Sequence, residues 1–418
     1  MFRPRSDRKK VGRSEILKHN WKLPIALLFV FLIYGCGGGP KVADQQPQTE
    51  KPADTEPGRD EGVLPYSEPT VRVLLKQQFR EVDVLNSTLG AEIRFRVLGG
   101  MLEPAFRKGS QWVVSESRTG FRLYPESGKL LKLGRNHYRG VIDVFINPLG
   151  VPVAVNEVGL EDYLKSVVPS EMGPEAFPQI EALKAQAVAA RSFAVRELDR
   201  NAVHGFDVYG DSRAQNYHGA VNEHRLSNQA VEATSGTIAV SGGKPILAMY
   251  SSTCGGKTEA YHNIFKGSPI PYLAGGVDCD DSSSPYHRWS DTIDLQKIQK
   301  SLDSYAGVGR IRNLEILDKS PFGRTISMRF SGDKGEKELH GNDLRFALGL
   351  RSNQIDSLEF SRDSEGFIDT ISVSGRGWGH GVGLCQTGAV TMAGRGSRFD
   401  EILHHYYRGI DLVEWKGR

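Results

Sequence analysis

Long apolar runs are missing from this chain of 418 residues. The best of them, Leu23 to Tyr34, is twelve residues broken by Pro24, short of the roughly 20 a spanning helix needs. A basic face is missing too. Lys and Arg outnumber Asp and Glu by only 53 to 50, and residues 1–22 hold eight of those cations against Asp7 and Glu15. That stretch is locally +6, so the remainder is about −3 (3 minus 6) and offers nucleic acid no electrostatic footprint. No internal repeat is visible. What is present, 39% hydrophobic and 25% charged residues, is the composition of a globular protein with a real core. The length predicts two structured lobes once the tails are removed.

The N-terminus reads as an export signal. Arg3, Arg5, Arg8, Lys9, Lys10 and Arg13 precede the apolar run, the order found in secretory signals. Leu32-Ile33-Tyr34-Gly35-Cys36 follows and resembles a bacterial lipobox, in which Cys36 is lipidated and anchors the protein to a membrane. An uncleaved anchor with an incidental cysteine is the alternative, and both export the rest. Gly37, in place of aspartate, favours the outer membrane if the cell has one. Residues 1–36 are thus expected to be a lipoprotein signal peptide. Residues 37–69, rich in Pro, Gln, Glu and Gly, are expected to be a flexible tether. Export places Cys254, Cys279 and Cys385 in an oxidising space, and their odd number leaves at least one unpaired within the chain. Cys254 and Cys279 enclose about 25 residues and are the pair expected to form a disulfide.

From Val71 onward, short alternating apolar runs (Val71-Val73-Leu75, Val82-Val84, Ile93-Phe95-Val97, Trp112-Val114) predict a β-rich lobe over 70–139. A second region, 140–418, opens with a hairpin around Asn147-Pro148-Leu149-Gly150. The strongest helix begins near Pro178 and runs through an alanine-rich stretch to Asp199. Its Ile180, Leu183, Ala187, Ala190 and Ala194 recur at helical steps, a small-residue face that another element can approach. A glycine-dense segment, 375–396, leads to a last helix near Phe399–Tyr407. The class is α+β: a β-rich lobe and a mixed core around the alanine helix.

Three places could carry chemistry. Glu171 sits in Val167-Val168-Pro169-Ser170-Glu171-Met172, where apolar neighbours strip water from a carboxyl group and raise its pKa, as a general acid requires. From spacing alone, the commoner outcome is a helix-entry carboxylate satisfied by nearby backbone N–H groups. Arg191 lies on the alanine helix, where a buried arginine needs a carboxylate or sugar oxygen; it could hold Glu171, bind substrate, or form a structural ion pair. Gly375 to Ala389 has glycine at alternate positions, letting a ligand or backbone come close. Within it, Trp378 offers a face on which a sugar ring stacks, and His380 and Gln386 offer hydrogen bonds. A packed glycine turn with a satisfied histidine is the other outcome. No strand–helix unit surrounds these glycines, so they are not a nucleotide fingerprint.

Pro169-Ser170-Glu171-Met172 and Glu181-Ala182-Leu183-Lys184-Ala185-Gln186-Ala187-Val188-Ala189-Ala190-Arg191-Ser192 together resemble the signature of the SpoIID/LytB family. The segment with Trp378, Gly379-His380-Gly381-Val382-Gly383 and Gln386, ending at Tyr406-Tyr407, resembles that family's C-terminal motif. The similarity also runs through Asn156-Glu157-Val158, Tyr163-Leu164 and 251–259, and spans roughly 70–418.

The resemblance implies a peptidoglycan enzyme. Sporulation members are lytic transglycosylases acting on glycan strands that amidases have stripped of peptides. By position, the family's essential glutamate falls on Glu171 and its helix arginine on Arg191. One carboxylate suffices for such chemistry: Glu171 protonates the oxygen of the MurNAc–GlcNAc bond, then takes the proton from the substrate's own C6 hydroxyl as that oxygen closes a 1,6-anhydro ring. A hydrolase would need a second carboxylate, for which Glu175, Glu181 and Asp211 are the candidates. Cys385 stands where serine is common in the family, five residues from His380, so a Cys–His nucleophile is conceivable; a packed thiol is the commoner outcome. Some members bind zinc through a Cys/His pair that would fall near 207–217, a stretch without cysteine here. Cys254, His262 and Cys279 could ligate a metal, but a disulfide is simpler, so no metal or cofactor is expected. The expected partners are peptidoglycan strands, a membrane through the lipid, and a cell-wall amidase. Other members are amidase enhancers, so a non-catalytic glycan-binding activator is the alternative.

Overall fold

The alternating runs build strands throughout the computed structural model, which describes residues 69–417. The signal peptide, Cys36 and nearly all of the expected tether lie outside the described residues. Among the described residues, no helix is long and apolar enough to cross a membrane.

Six strands form one antiparallel sheet in the order Gln111–Val114, Met101–Lys108, Gly90–Leu98, Glu81–Ser87, Leu131–Leu133, Asn136–Tyr138. A second sheet, of five strands, has the order Val208–Tyr209, Thr70–Gln77, Pro152–Gly159, Val141–Ile146, Gly120–Leu123. The hairpin around Asn147 is there: Val141–Ile146 pairs with Pro152–Gly159, and Asn147 Oδ1 accepts the N–H groups of Leu149 and Val151, both at 3.0 Å. Thr70–Gln77 and Gly120–Leu123 belong to this same sheet. The boundary expected between 139 and 140 therefore cuts through paired strands, because pairing partners far apart in sequence are invisible to local periodicity.

The five-stranded sheet delivers the chain directly into a helix, Leu160–Glu171. The alanine helix, Ile180–Glu197, follows. Twelve of its 18 residues are buried, so it is enclosed rather than merely one-faced. Alanine makes this possible, since a side chain of one carbon lets neighbours approach from every side. Its neighbours include the Glu171 helix, Arg225–Ala233, Gln386–Gly394, Phe399–Tyr406 and the strand Thr237–Ser241. One continuous core, from Val71 to Ile410, runs through both sheets and these helices.

Residues 289–376 have a core of their own, with Leu302, Met328, Phe330, Leu344 and Ile371 buried at its centre. Two three-stranded antiparallel sheets and the helices Leu295–Tyr305 and Gly341–Leu348 surround it. The chain comes in along Trp289–Asp294 and goes out along Ile368–Arg376, and these two strands pair, Trp289 opposite Gly375.

Candidate active site

Glu171 is the last residue of the helix Leu160–Glu171, so it stands at a helix C-terminus rather than at the start of a helix. Pro169 lies inside the final turn, where the chain still closes Met172 N–H onto the Val168 carbonyl at 2.9 Å. The carboxyl group is half-buried. Burial raises its pKa to about 7, and hydrogen bonds from the backbone and side chain of Asn216 pull against that rise. Among the described residues, no charged side chain takes part in this balance. The helix has no basic residue in its last turn, and the negative end of the helix dipole adds to the cost of ionisation. A carboxyl group so placed holds a proton near neutrality and is still open enough to give it away.

The segment that meets Glu171 is pinned from several sides. Asn216 N–H donates to Glu171 Oε1 at 2.7 Å. Next to it, Gln215 is buried, accepts from Tyr163 Oη at 2.9 Å and donates to Tyr250 Oη at 2.9 Å. Tyr217 Oη donates to Asn156 Oδ1 at 2.6 Å, and its ring stacks on Tyr163. Burial, and then the Glu171 charge, push the Tyr163 hydroxyl above its usual range, and Tyr250 shifts the same way for the same reasons. Both phenols therefore stay neutral beside the glutamate. On the other side, Gln386 Nε2 donates to the Glu171 carbonyl at 3.1 Å and to Gln186 Oε1 at 3.2 Å.

Of the expected binding residues, it is Gln386 whose side chain bonds to Glu171, and its amide is spent on positioning. Trp378 packs perpendicular to Tyr286 with ring centres 4.1 Å apart, and the Arg351 guanidinium lies over both rings. His380 stands edge-on to Phe265, with Nδ1 accepting the Val382 N–H at 3.0 Å. Burial, then the charges of Arg345 and Arg324, push its pKa down to about 3, so it is a neutral ring rather than an acid. The alternate glycines admit the chain's own groups. At Gly381, with φ +72°, a Cβ would come within 2.2 Å of Arg324 Nη2, and at Gly383 within 2.1 Å of the Met249 carbonyl.

Arg191 is fully buried but does not meet Glu171. Its Nε and Nη2 donate to the two oxygens of Glu161 at 2.8 and 2.6 Å, and the remaining donors reach Thr237 O, Thr234 Oγ1 and Val231 O. Glu161 lies in the first turn of the helix that Glu171 ends, about 15 Å away along its axis. The geometry makes Arg191 one half of an ion pair with Glu161, apart from Glu171: the guanidinium is engaged by a carboxylate, a hydroxyl and carbonyls of its own chain. The possible second carboxylates are engaged or exposed. Glu181 bonds to Lys184 Nζ and Phe399 N–H, Asp211 to Arg213, and Glu175 faces solvent.

The cysteines correct a further expectation. Cys254, Cys279 and Cys385 are all free thiols, so the expected Cys254–Cys279 disulfide is not formed. Their side chains do meet, with Sγ atoms 2.7 Å apart, but Cys385 and Asp281 share the same space. Cys385 is buried there and makes its contacts with Cys254 and Asp281 rather than with His380, which removes the geometric basis for a Cys–His nucleophile.

Asn216, Gln215, Gln186, Tyr163 and Tyr250 are site residues that sequence reasoning did not single out. The run Gln215-Asn216-Tyr217, polar groups amid turns, is the available signal.

A family model described as Stage II sporulation protein matches residues 151–240, the stretch that carries Glu171, the alanine helix and Asn216. A domain of unknown function, DUF8618, matches 272–383, which takes in the separately cored segment. An uncharacterized protein of Brachyspira hyodysenteriae is 34% identical over 308 residues, covering 72% of this chain and 77% of its own. Amidase enhancer of Bacillus subtilis is 27% identical over 301 residues, 60% of this chain and 40% of that protein. Stage II sporulation protein D of Bacillus subtilis is 33% identical over 301 residues, 66% of this chain and 82% of that protein. With a relative matched to that extent, and the family model lying over the glutamate helix, the chain belongs to the Stage II sporulation protein D (SpoIID) family.

Proposed function

We propose that the cell-wall role this membership gives the protein is that of a lytic transglycosylase, cutting the MurNAc–GlcNAc bonds of peptidoglycan glycan strands with Glu171 as its one acid and base. The observation that carries the reading is the Glu171 carboxyl: half-buried, with its pKa raised to about 7, and with no charged group among the described residues acting on it.

One such group can serve both halves of the reaction. Protonated Glu171 donates to the glycosidic oxygen as the C1–O4 bond breaks, so the leaving GlcNAc departs as an alcohol. The carboxylate left behind takes the proton of the MurNAc C6 hydroxyl while O6 bonds to C1. The 1,6-anhydro ring closes, Glu171 is protonated again, and no water is consumed. A hydrolase of the two-carboxylate kind fits less well, because Glu181 and Asp211 are tied to Lys184 and Arg213. On this reading the Asn216 N–H orients the carboxyl, and Gln386 fixes the end of the helix that presents it. The substrate is peptide-stripped glycan, and the protein acts after export, anchored through a lipid on Cys36. The amidase enhancer among its relatives favours a second reading, a glycan-binding activator of a cell-wall amidase.

The test is to incubate protein lacking residues 1–36 with stripped and intact glycan strands, beside Glu171→Ala, and to identify products by mass spectrometry. Anhydro-ended fragments from the wild type alone are expected. Reducing-end fragments would mean hydrolysis, and binding without cleavage would leave the activator reading.

A further inference from the structure

Cys254, Cys279 and Cys385 come from three separate stretches of the chain and meet at one point. Their sulfurs and a carboxylate oxygen of Asp281 all lie within 4.8 Å of one another. Cys254 Sγ is 3.4 Å from Asp281 Oδ2, and Cys385 Sγ is 3.8 Å from the same atom. Cys254, Asp281 and Cys385 are fully buried, and Cys279 is half-buried. We propose that these four side chains bind one zinc-class divalent cation, through three thiolates and the Asp281 carboxylate.

The donor set is that of a closed structural site: four ligands, mostly soft sulfur, with no position left for substrate. With metal–sulfur bonds of about 2.3 Å, the edges of such a tetrahedron are about 3.8 Å. Cys254 and Cys385 already stand near that distance from Asp281. The Cys254–Cys279 pair, at 2.7 Å, would open by about 1 Å to reach it.

Three features around the cluster point the same way. His287 Nδ1 lies 2.6 Å from the other oxygen of Asp281, the sort of outer partner that orients a ligating carboxylate. The Cys254 N–H donates to Cys385 Sγ at 3.3 Å, and Cys385 occupies the N-cap position of the helix Gln386–Gly394; both favour negative charge on that sulfur. Finally, the Tyr406 hydroxyl is buried without a hydrogen-bond partner. It stands against Cys279, since a Cβ on Gly388 would come within 2.1 Å of that hydroxyl and 2.7 Å of Cys279 Sγ. A thiolate at Cys279 would accept a hydrogen bond from it. The Gly255 and Gly256 N–H groups also donate to Asp281 Oδ2, at 2.6 and 3.3 Å, and help to hold it toward the sulfurs. A Cys254–Cys279 disulfide would leave Cys385 a lone buried thiol in the same space and the Tyr406 hydroxyl without an acceptor.

Such a cation would staple the stretch after Tyr250–Ser251, the loop before Trp289 and the start of the Gln386 helix. Through Gln386 the staple reaches the Glu171 carbonyl, so it would support the site without touching substrate.

The test uses the full chain, purified in detergent without chelator, and does not depend on glycan cleavage. Elemental analysis should give about one zinc per chain. Cobalt exchanged into the protein should show thiolate-to-cobalt charge transfer and the intense visible bands of a tetrahedral site. Alkylation in denaturant with chelator and no reductant should label Cys254, Cys279 and Cys385 alike. Cys385→Ser and Asp281→Asn should each lower zinc occupancy and weaken the cobalt bands. A disulfide-linked Cys254–Cys279 peptide in metal-free protein would overturn the proposal. So would three free thiols without metal, or zinc retained in full by both variants.

Discussion

Asn216 approaches the Glu171 carboxylate with its backbone N–H at 2.7 Å, from a segment that shares no secondary-structure element with the glutamate. The contact is a brake on burial. Dehydration drives the carboxyl toward its neutral form, while Asn216 stabilises the ionised one. A group that must give up a proton and then take one back needs both states within reach, and this opposition keeps them there.

Replacing Glu171 by Gln should keep the shape of the site and remove the exchangeable proton. Cleavage should fall by at least about 100-fold, the scale of a lost general acid, with glycan binding retained. Product mass spectrometry and a binding isotherm on the same preparation check both halves.

The pH dependence follows from the sign of the shift. Protonated Glu171 is the acid, so the cleavage rate should fall as pH rises through about 7. Stability follows the same group. Its folded pKa lies above the unfolded value, so ionisation costs the native state above about pH 7, and that cost disappears as pH falls toward 4.5. At pH 8 the Glu171→Gln variant should therefore be the more stable protein, by up to about 3 kcal/mol, and near pH 4.5 the advantage should vanish. Thermal melts at the two pH values test this.

Asn216→Ala removes the side-chain hydrogen bond and leaves the backbone donor. Less stabilisation of the carboxylate means a higher Glu171 pKa, so the alkaline fall in activity should move to higher pH. An unchanged profile would mean that the side chain does not tune the acid.

Arg191→Ala should act on the fold. It takes the guanidinium away from Glu161 and from the carbonyls of Thr237 and Val231, a loss on the scale of about 3–5 kcal/mol for a broken buried pair. Denaturant unfolding should show it, while the alkaline limb of any remaining activity stays where it was. A moved limb would return Arg191 to the chemistry.

The strands, the alanine helix and Glu171 are legible in the sequence because each has a local cause: alternation, helix propensity, and a carboxylate among apolar neighbours. The partners of Arg191 are not. A buried arginine announces that it needs a carboxylate without saying which, and Glu161 is 30 residues away in sequence. Asn216 is hidden for a related reason, since its working group is a backbone N–H that every residue but proline carries. Trp378 and His380 resemble binding groups because aromatic and imidazole side chains serve both cores and ligands; here they pack on Tyr286 and Phe265. The glycines between them do mark places of close approach, but what approaches is Arg324 and the Met249 carbonyl.

The pairing of Trp289 with Gly375 means that the segment between them begins and ends side by side. A short turn could join those two strands where the segment now stands, leaving the Glu171 helix and its partners unbroken in sequence. Several side chains resist such a cut: Arg324 reaches back from the segment to the carbonyls of Cys254 and Gly379, Ser320 donates to Glu259, and Arg351 lies over Tyr286 and Trp378. The 289–376 piece is thus built like a limb with one joint and several tendons, removable as a unit only if something else fills the sockets that Arg324, Ser320 and Arg351 now occupy.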